Sequence, residues 1–139
     1  MDTTNIVETM IGQHRLLQKD LGLVAEELKN DEPDSSKIDK LLKTFAKDLG
    51  EHLKLENDTF YVELLKKMKE KGQDTTKTEE FIDQMKAIGD AVMAFLGKYS
   101  DGSSITDNMT DFRSEFVSIV ETLNMRVEAE ESGVYLYWK

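Results

Sequence analysis

Cysteine is absent from the 139 residues, and proline occurs once, as Pro33. The first absence removes disulfides, thiolate metal sites and cysteine nucleophiles, leaving histidine, carboxylate and hydroxyl groups to carry any chemistry. Histidine is itself scarce, with 2 residues in the chain. Positive charge is the minority sign, because 18 basic against 28 acidic side chains give a net charge of −10. That balance disfavours contact with nucleic-acid phosphates and with anionic lipid surfaces, so neither a nucleic acid nor a membrane is expected as a partner. No apolar run approaches the ~18 residues of a spanning helix. The stretch Met1 to Met10 carries Asp2 and Glu8 and no basic residue, unlike a secretory leader. A soluble cytoplasmic protein is the expectation. The length suggests one domain over 1–139, with one core that buries roughly two-thirds of the surface exposed in the unfolded chain.

What is present is helical punctuation. Asn30 to Ser36, with Pro33 at its centre, reads as a first turn, and Gly72 to Thr76 as a second, with Thr76 and Glu79 at capping-box spacing. Ser100 to Ser104 reads as a third. Between these breaks the apolar residues recur at helical spacing, as in Val7, Met10, Leu17, Leu21, Val24, Leu28 and in Phe81, Met85, Ile88, Val92, Phe95. Four helices follow, near 5–29, 36–71, 78–98 and 106–137. Short turns between long amphipathic helices favour antiparallel neighbours, hence an all-α, up-down-up-down four-helix bundle. Lys66, Lys67, Lys69 and Lys71 read as cations near a helix C-terminus.

The informative feature is a fault in the apolar stripes. The first steps 7, 10, 14, 17, 21, and position 14 is His14. In the second, His52 and Glu56 take core-facing places; in the fourth, Glu130 lies near the middle of the apolar face and Glu131 toward its edge. His52 and Glu56 are one turn apart, roughly 6 Å along the axis, and can converge on one point. Counting about 1.5 Å of rise per residue from the turns and chain ends puts His14, His52 and Glu130 at one level of an antiparallel bundle. A glutamate ionised in a core without a partner costs several kcal/mol or is neutralised by a raised pKa. A divalent cation held by two imidazoles and two carboxylates would compensate, and this ligand set suits Fe(II), Zn or Mn rather than Ca or Cu(I). Arg126, one turn before Glu130, offers an alternative partner, and a hydrogen-bonded polar core without metal is the competing reading.

At these residues the chain resembles the hemerythrin-like HHE cation-binding domains over nearly its whole length. Gln13-His14-Arg15-Leu16-Leu17 is similar to that family's first-helix histidine motif, and His52-Leu53-Lys54-Leu55-Glu56-Asn57 to its second-helix HxxxE. Arg126 to Glu131, followed by Val134-Tyr135-Leu136-Tyr137-Trp138, resembles the last-helix HIxxEExxLYP motif. Two departures stand out: Arg126 replaces the last-helix histidine, and the third helix has no histidine, only Met85 with Gly89 or Phe81 one turn away. The resemblance implies a four-helix bundle that binds iron through histidines and carboxylates. It also implies that the ligands private to one of the family's two irons are missing, while His14, His52, Glu56 and Glu130 or Glu131 match the set for the other. One ion rather than two is therefore expected, iron first, with zinc or manganese as rivals. Arg126 stands where a guanidinium can take the place of a second cation, or of both.

The functional expectation is metal binding in iron or oxygen/redox sensing or storage. Its alternative is a metal-free, degenerate bundle serving as an interaction or structural module. A third reading, dioxygen chemistry at a lone two-histidine centre, needs an open coordination position and a substrate cavity, for which the sequence offers no sign. Without a nucleophile-base pair, a Gly-rich phosphate loop or a third histidine, no enzyme activity is expected. The aromatic tail Tyr135 to Trp138 either seals the bundle end or marks a dimer contact, so a homo-oligomer stays open.

Overall fold

The computed structural model describes residues 5–138, and every regular element among them is helical. Helix α1 spans Ile6–Leu28 and α2 spans Ser35–Leu55; a π-helical segment, Glu56–Phe60, carries α2 without a break into α3, Tyr61–Glu70. Helix α4 is Thr76–Lys98, α5 is the short Gly102–Asp107, α6 is Met109–Ser132, and a 3₁₀ turn covers Val134–Trp138. No described helix is long and apolar enough to cross a membrane.

Local chemistry sets these boundaries. Asp34 Oδ1 accepts from the backbone N–H groups of Ser36 at 3.0 Å and Lys37 at 3.2 Å, which caps α2 directly after Pro33. Glu27 braces the same turn: Oε2 accepts from Asp34 N and Asn30 Nδ2, both at 3.0 Å, and Oε1 pairs with Lys37. The chain leaves α3 through Gly72, whose φ of 71° lies in the left-handed region that favours glycine. The capping box expected from Thr76 and Glu79 does not form. Asp74 Oδ1 takes both the backbone N–H and the hydroxyl of Thr76, while Glu79 accepts from Thr75 Oγ1. The expected last helix over 106–137 is divided. Asn108 donates its side-chain amide to Ser104 O and adopts φ −132°, ψ 35°, so α5 and α6 are separate, and α6 ends at Ser132.

Successive long elements run antiparallel. Arg113 at the start of α6 donates to Leu28 O at the end of α1, and His14 near the start of α1 meets Glu131 near the end of α6. Lys98 at the end of α4 likewise pairs with Glu115 early in α6. The result is the up-down-up-down bundle that the stripes predict. Its core differs from the single apolar core expected. One cluster gathers Leu17, Leu21, Val24, Phe45, Leu49, Phe95, Phe112 and Leu123; a second gathers Ile6, Met10, Phe60, Leu64, Met68, Ile82 and Val134. Between them lies a buried polar layer of His14, His52, Glu56, Arg126 and Glu130. Each helix stripe crosses that layer, so the apolar packing is interrupted at one level.

A further buried acid, Asp20, lies on α1 between Leu17 and Leu21, 5% exposed, with Oδ2 lacking a hydrogen-bond partner. Burial first, then the neighbouring carboxyl of Asp48 on α2, pushes its pKa up to about 7. The unfolded value is near ~3.9, so the native state holds a proton that the unfolded chain has released. The stabilisation this gives is complete below ~4 and disappears as pH climbs through 7. Asp20→Asn keeps the shape without the charge. Urea denaturation at pH 5 and pH 8.5 should show the variant gaining about 1 kcal/mol on the parent at the higher pH, after allowance for solvent screening. A difference independent of pH would contradict this account.

Candidate metal centre

Four elements deliver the buried polar layer. His14 comes from α1, His52 from α2, Glu56 from the first residue of the π segment, and Arg126 and Glu130 from α6. All five are between 0% and 2% exposed. The π segment has a definite effect here. The backbone N–H of Tyr61 reaches Glu56 O, five residues back, so the chain carries one residue more than an α-turn would. Buried positions 52, 56, 60, 64 and 68 then recur every four residues. Glu56 and Phe60 stay on the inward face, and Tyr61 becomes buried beside Phe60.

Hydrogen bonds fix the histidine tautomers. His14 Nδ1 donates to Glu131 Oε2 at 2.7 Å, and His52 Nδ1 donates to Gln13 Oε1 at 2.6 Å. Each ring, when neutral, then carries its lone pair on Nε2, and the two Nε2 atoms face each other at 3.1 Å. Burial first, then the proximity of His14, pulls the His52 pKa down to about 3, so that ring is neutral at pH 7. Glu130 Oε1 lies 3.5 Å from His14 Nε2, and Glu56 Oε2 lies 3.6 Å from His52 Nε2. The four ligand atoms lie within 4.8 Å of one another. Bonds of about 2.0–2.2 Å to a common centre place neighbouring atoms of a tetrahedron roughly 3.3–3.6 Å apart. Two imidazole ring nitrogens and two carboxylate oxygens converging at this spacing fit a cation.

The carboxylates have further partners. Tyr61 Oη donates to Glu130 Oε2 at 2.8 Å and Tyr135 Oη to Glu56 Oε2 at 2.7 Å; Tyr135 Oη also lies 3.2 Å from His14 Nε2. Arg126 binds both acids, Nε to Glu130 Oε1 at 3.1 Å and Nη2 to Glu56 Oε1, while Nη1 donates to Met85 O at 3.0 Å. Burial, then the hydrogen bond and charge of Glu130, raises the Glu56 pKa well above the usual carboxyl range. For Glu130, burial pulls the same way but is outweighed by hydrogen bonds from Glu56 and His14 and by the Arg126 charge, so its pKa falls. The pair shares one proton, carried on Glu56, with Arg126 balancing Glu130.

Of the five residues singled out in the sequence, His14, His52, Glu56 and Glu130 come together. Glu131 stands outside them, 22% exposed, holding His14 Nδ1 with one oxygen and Arg15 with the other. Sequence reasoning left Tyr61, Tyr135 and Gln13 without a role at the centre. Tyr61 carried no signal of its own, because it falls outside the four-residue steps 52, 56, 60, 64 and 68 that mark the inward face. Helix α4 lends the centre no side chain; it contributes the Met85 carbonyl and the space at Gly89, which admits Arg126, since a Cβ there would sit 2.9 Å from Nη1.

No curated protein and no solved structure matches the chain. The family description "Hemerythrin HHE cation binding domain" does match, across residues 5–137, which takes in every helix that builds the polar layer. With that span matched and a histidine-glutamate cluster at its centre, the chain belongs to the hemerythrin HHE cation-binding family.

Proposed function

We propose that the bundle binds one divalent metal ion, iron ahead of zinc or manganese, through His14 Nε2, His52 Nε2, Glu56 and Glu130, and serves in iron or redox sensing or storage. The single observation that carries this reading is the pair of Nε2 atoms 3.1 Å apart, each ring turned that way by a bonded Nδ1. Hydrogen-bonded Nδ1 groups are how metal-bound histidines are commonly oriented, which gives Glu131 and Gln13 the task of holding the rings. When bound, the ion would supply a Lewis-acidic centre and, if iron, one-electron redox capacity. The residues around it bind and orient: Tyr61 and Tyr135 hold the glutamates, and the apolar clusters on either side exclude water. This is a binding role rather than an enzymatic one, in a cytoplasmic protein.

One observation favours a second reading, a metal-free bundle acting as an interaction module: Arg126 already pairs with both buried glutamates. Elemental analysis separates the two. Protein purified without chelator should carry about one equivalent of iron, zinc or manganese. Metal-free protein whose melting curve is unmoved by added Fe(II) would leave the second reading standing.

A further inference from the structure

We propose that the Arg126 guanidinium acts as a resident second cation of this centre and restricts the bound ion to the divalent state. The inference rests on the metal-binding reading above and adds to it a rule for valence.

The guanidinium is held on every side. Its Nε and Nη2 bind Glu130 Oε1 and Glu56 Oε1, and Nη1 binds Met85 O on α4. Those same two glutamates turn toward the histidines, at 3.5 Å for Glu130 Oε1 and, through the other oxygen, 3.6 Å for Glu56 Oε2. Both carboxylates therefore lie between a permanent positive charge and the metal position. Gly89 provides the room, since any larger residue would bring a Cβ to 2.9 Å from Nη1. With Arg126 2% exposed, solvent does little to screen its charge.

Charge then decides which ions are accepted. Metal binding releases the proton of Glu56 to solvent; two carboxylates and one guanidinium then sum to −1, so a divalent ion leaves +1 and a trivalent ion +2. The phenols of Tyr61 and Tyr135 are ordinarily neutral near pH 7 and donate to the glutamates, so they contribute no further negative charge. At an effective dielectric of ~20 and a separation of ~5 Å, one additional unit of charge facing Arg126 is disfavoured roughly a hundredfold or more. Oxidation of bound iron, in which Fe(II) passes one electron to an external mediator with no proton moved, is opposed by the same factor.

Two measurements on the 139-residue protein test this. In the first, metal-stripped wild-type protein is melted with zinc(II) and with gallium(III) supplied as citrate, two ions without redox chemistry at the potentials concerned. Zinc should raise Tm and gallium should not; equal shifts overturn the proposal. If neither ion moves Tm, metal binding itself is refuted, an outcome distinct from loss of the valence rule alone. In the second, the midpoint potential of bound iron is read by spectroelectrochemistry in wild type, Arg126→Gln and Arg126→Lys. The neutral variant should lower it by about 120 mV, a hundredfold change at ~59 mV per decade for one electron, while lysine keeps it within about one decade. An unchanged potential in Arg126→Gln overturns the proposal. Should that variant fail to fold, the zinc and gallium comparison decides alone.

Discussion

Replacing His52 by alanine is expected to abolish both the bound metal and its contribution to stability. Wild-type protein in a hundredfold excess of zinc over Kd gains about 2.7 kcal/mol, which for a chain of this size raises Tm by roughly 10 °C. In His52→Ala that gain should vanish, because the lost imidazole leaves His14 and two glutamates that Arg126 also claims. Without metal the variant should be less stable than its parent by no more than a large-to-small core change of about 2–4 kcal/mol. Calorimetry with and without zinc, alongside elemental analysis, measures both effects. A variant that still shows the full zinc-dependent shift would place the ion away from His52 and refute the ligand set.

Arg126→Leu should produce the largest loss in metal-free protein, about 3–5 kcal/mol, since it leaves buried carboxylates without their cation. Glu56 is 0% exposed and Glu130 likewise, so water cannot substitute. The shared proton on the pair offsets one charge and leaves the other uncompensated. A divalent ion should then recover much of the loss, because +2 balances both carboxylates outright. Denaturant titrations of the metal-free and zinc-loaded forms check this, and the informative quantity is the difference between the two. A metal-free Arg126→Leu as stable as wild type would show that the guanidinium is not the partner of these acids.

Much of the arrangement could be read before the fold. His14, His52, Glu56 and Glu130 interrupt stripes that are otherwise apolar, and an antiparallel bundle brings such interruptions together when their distances from the turns agree. Arg126 could be placed one turn before Glu130, but which acid it would reach depends on rotamers, and it reaches both. Glu131 was harder. Adjacent residues on a helix differ by about 100° of rotation, and periodicity left Glu130 and Glu131 both near the face. The structure resolves them: one turns inward to the lone pairs, and the other approaches the opposite nitrogen of His14 from the rim. The π segment was hidden because a second helix from 36 to 71 explains most of the pattern without it. The division at Asn108 was hidden because it rests on one side-chain bond to Ser104 O rather than on glycine or proline.

The aromatic residues at the end of the chain have an optical consequence. Tyr135 stacks on His14 with centroids 5.5 Å apart, Phe60 meets Tyr135 at 5.1 Å, and Trp138 meets Phe60 at 5.2 Å beneath the ammonium of Lys67. Trp138 is the sole indole of the chain. Excited at the red edge of its absorption, where tyrosine does not absorb, its fluorescence comes from one place, three ring contacts from the histidine pair, and its emission provides a label-free view of that layer.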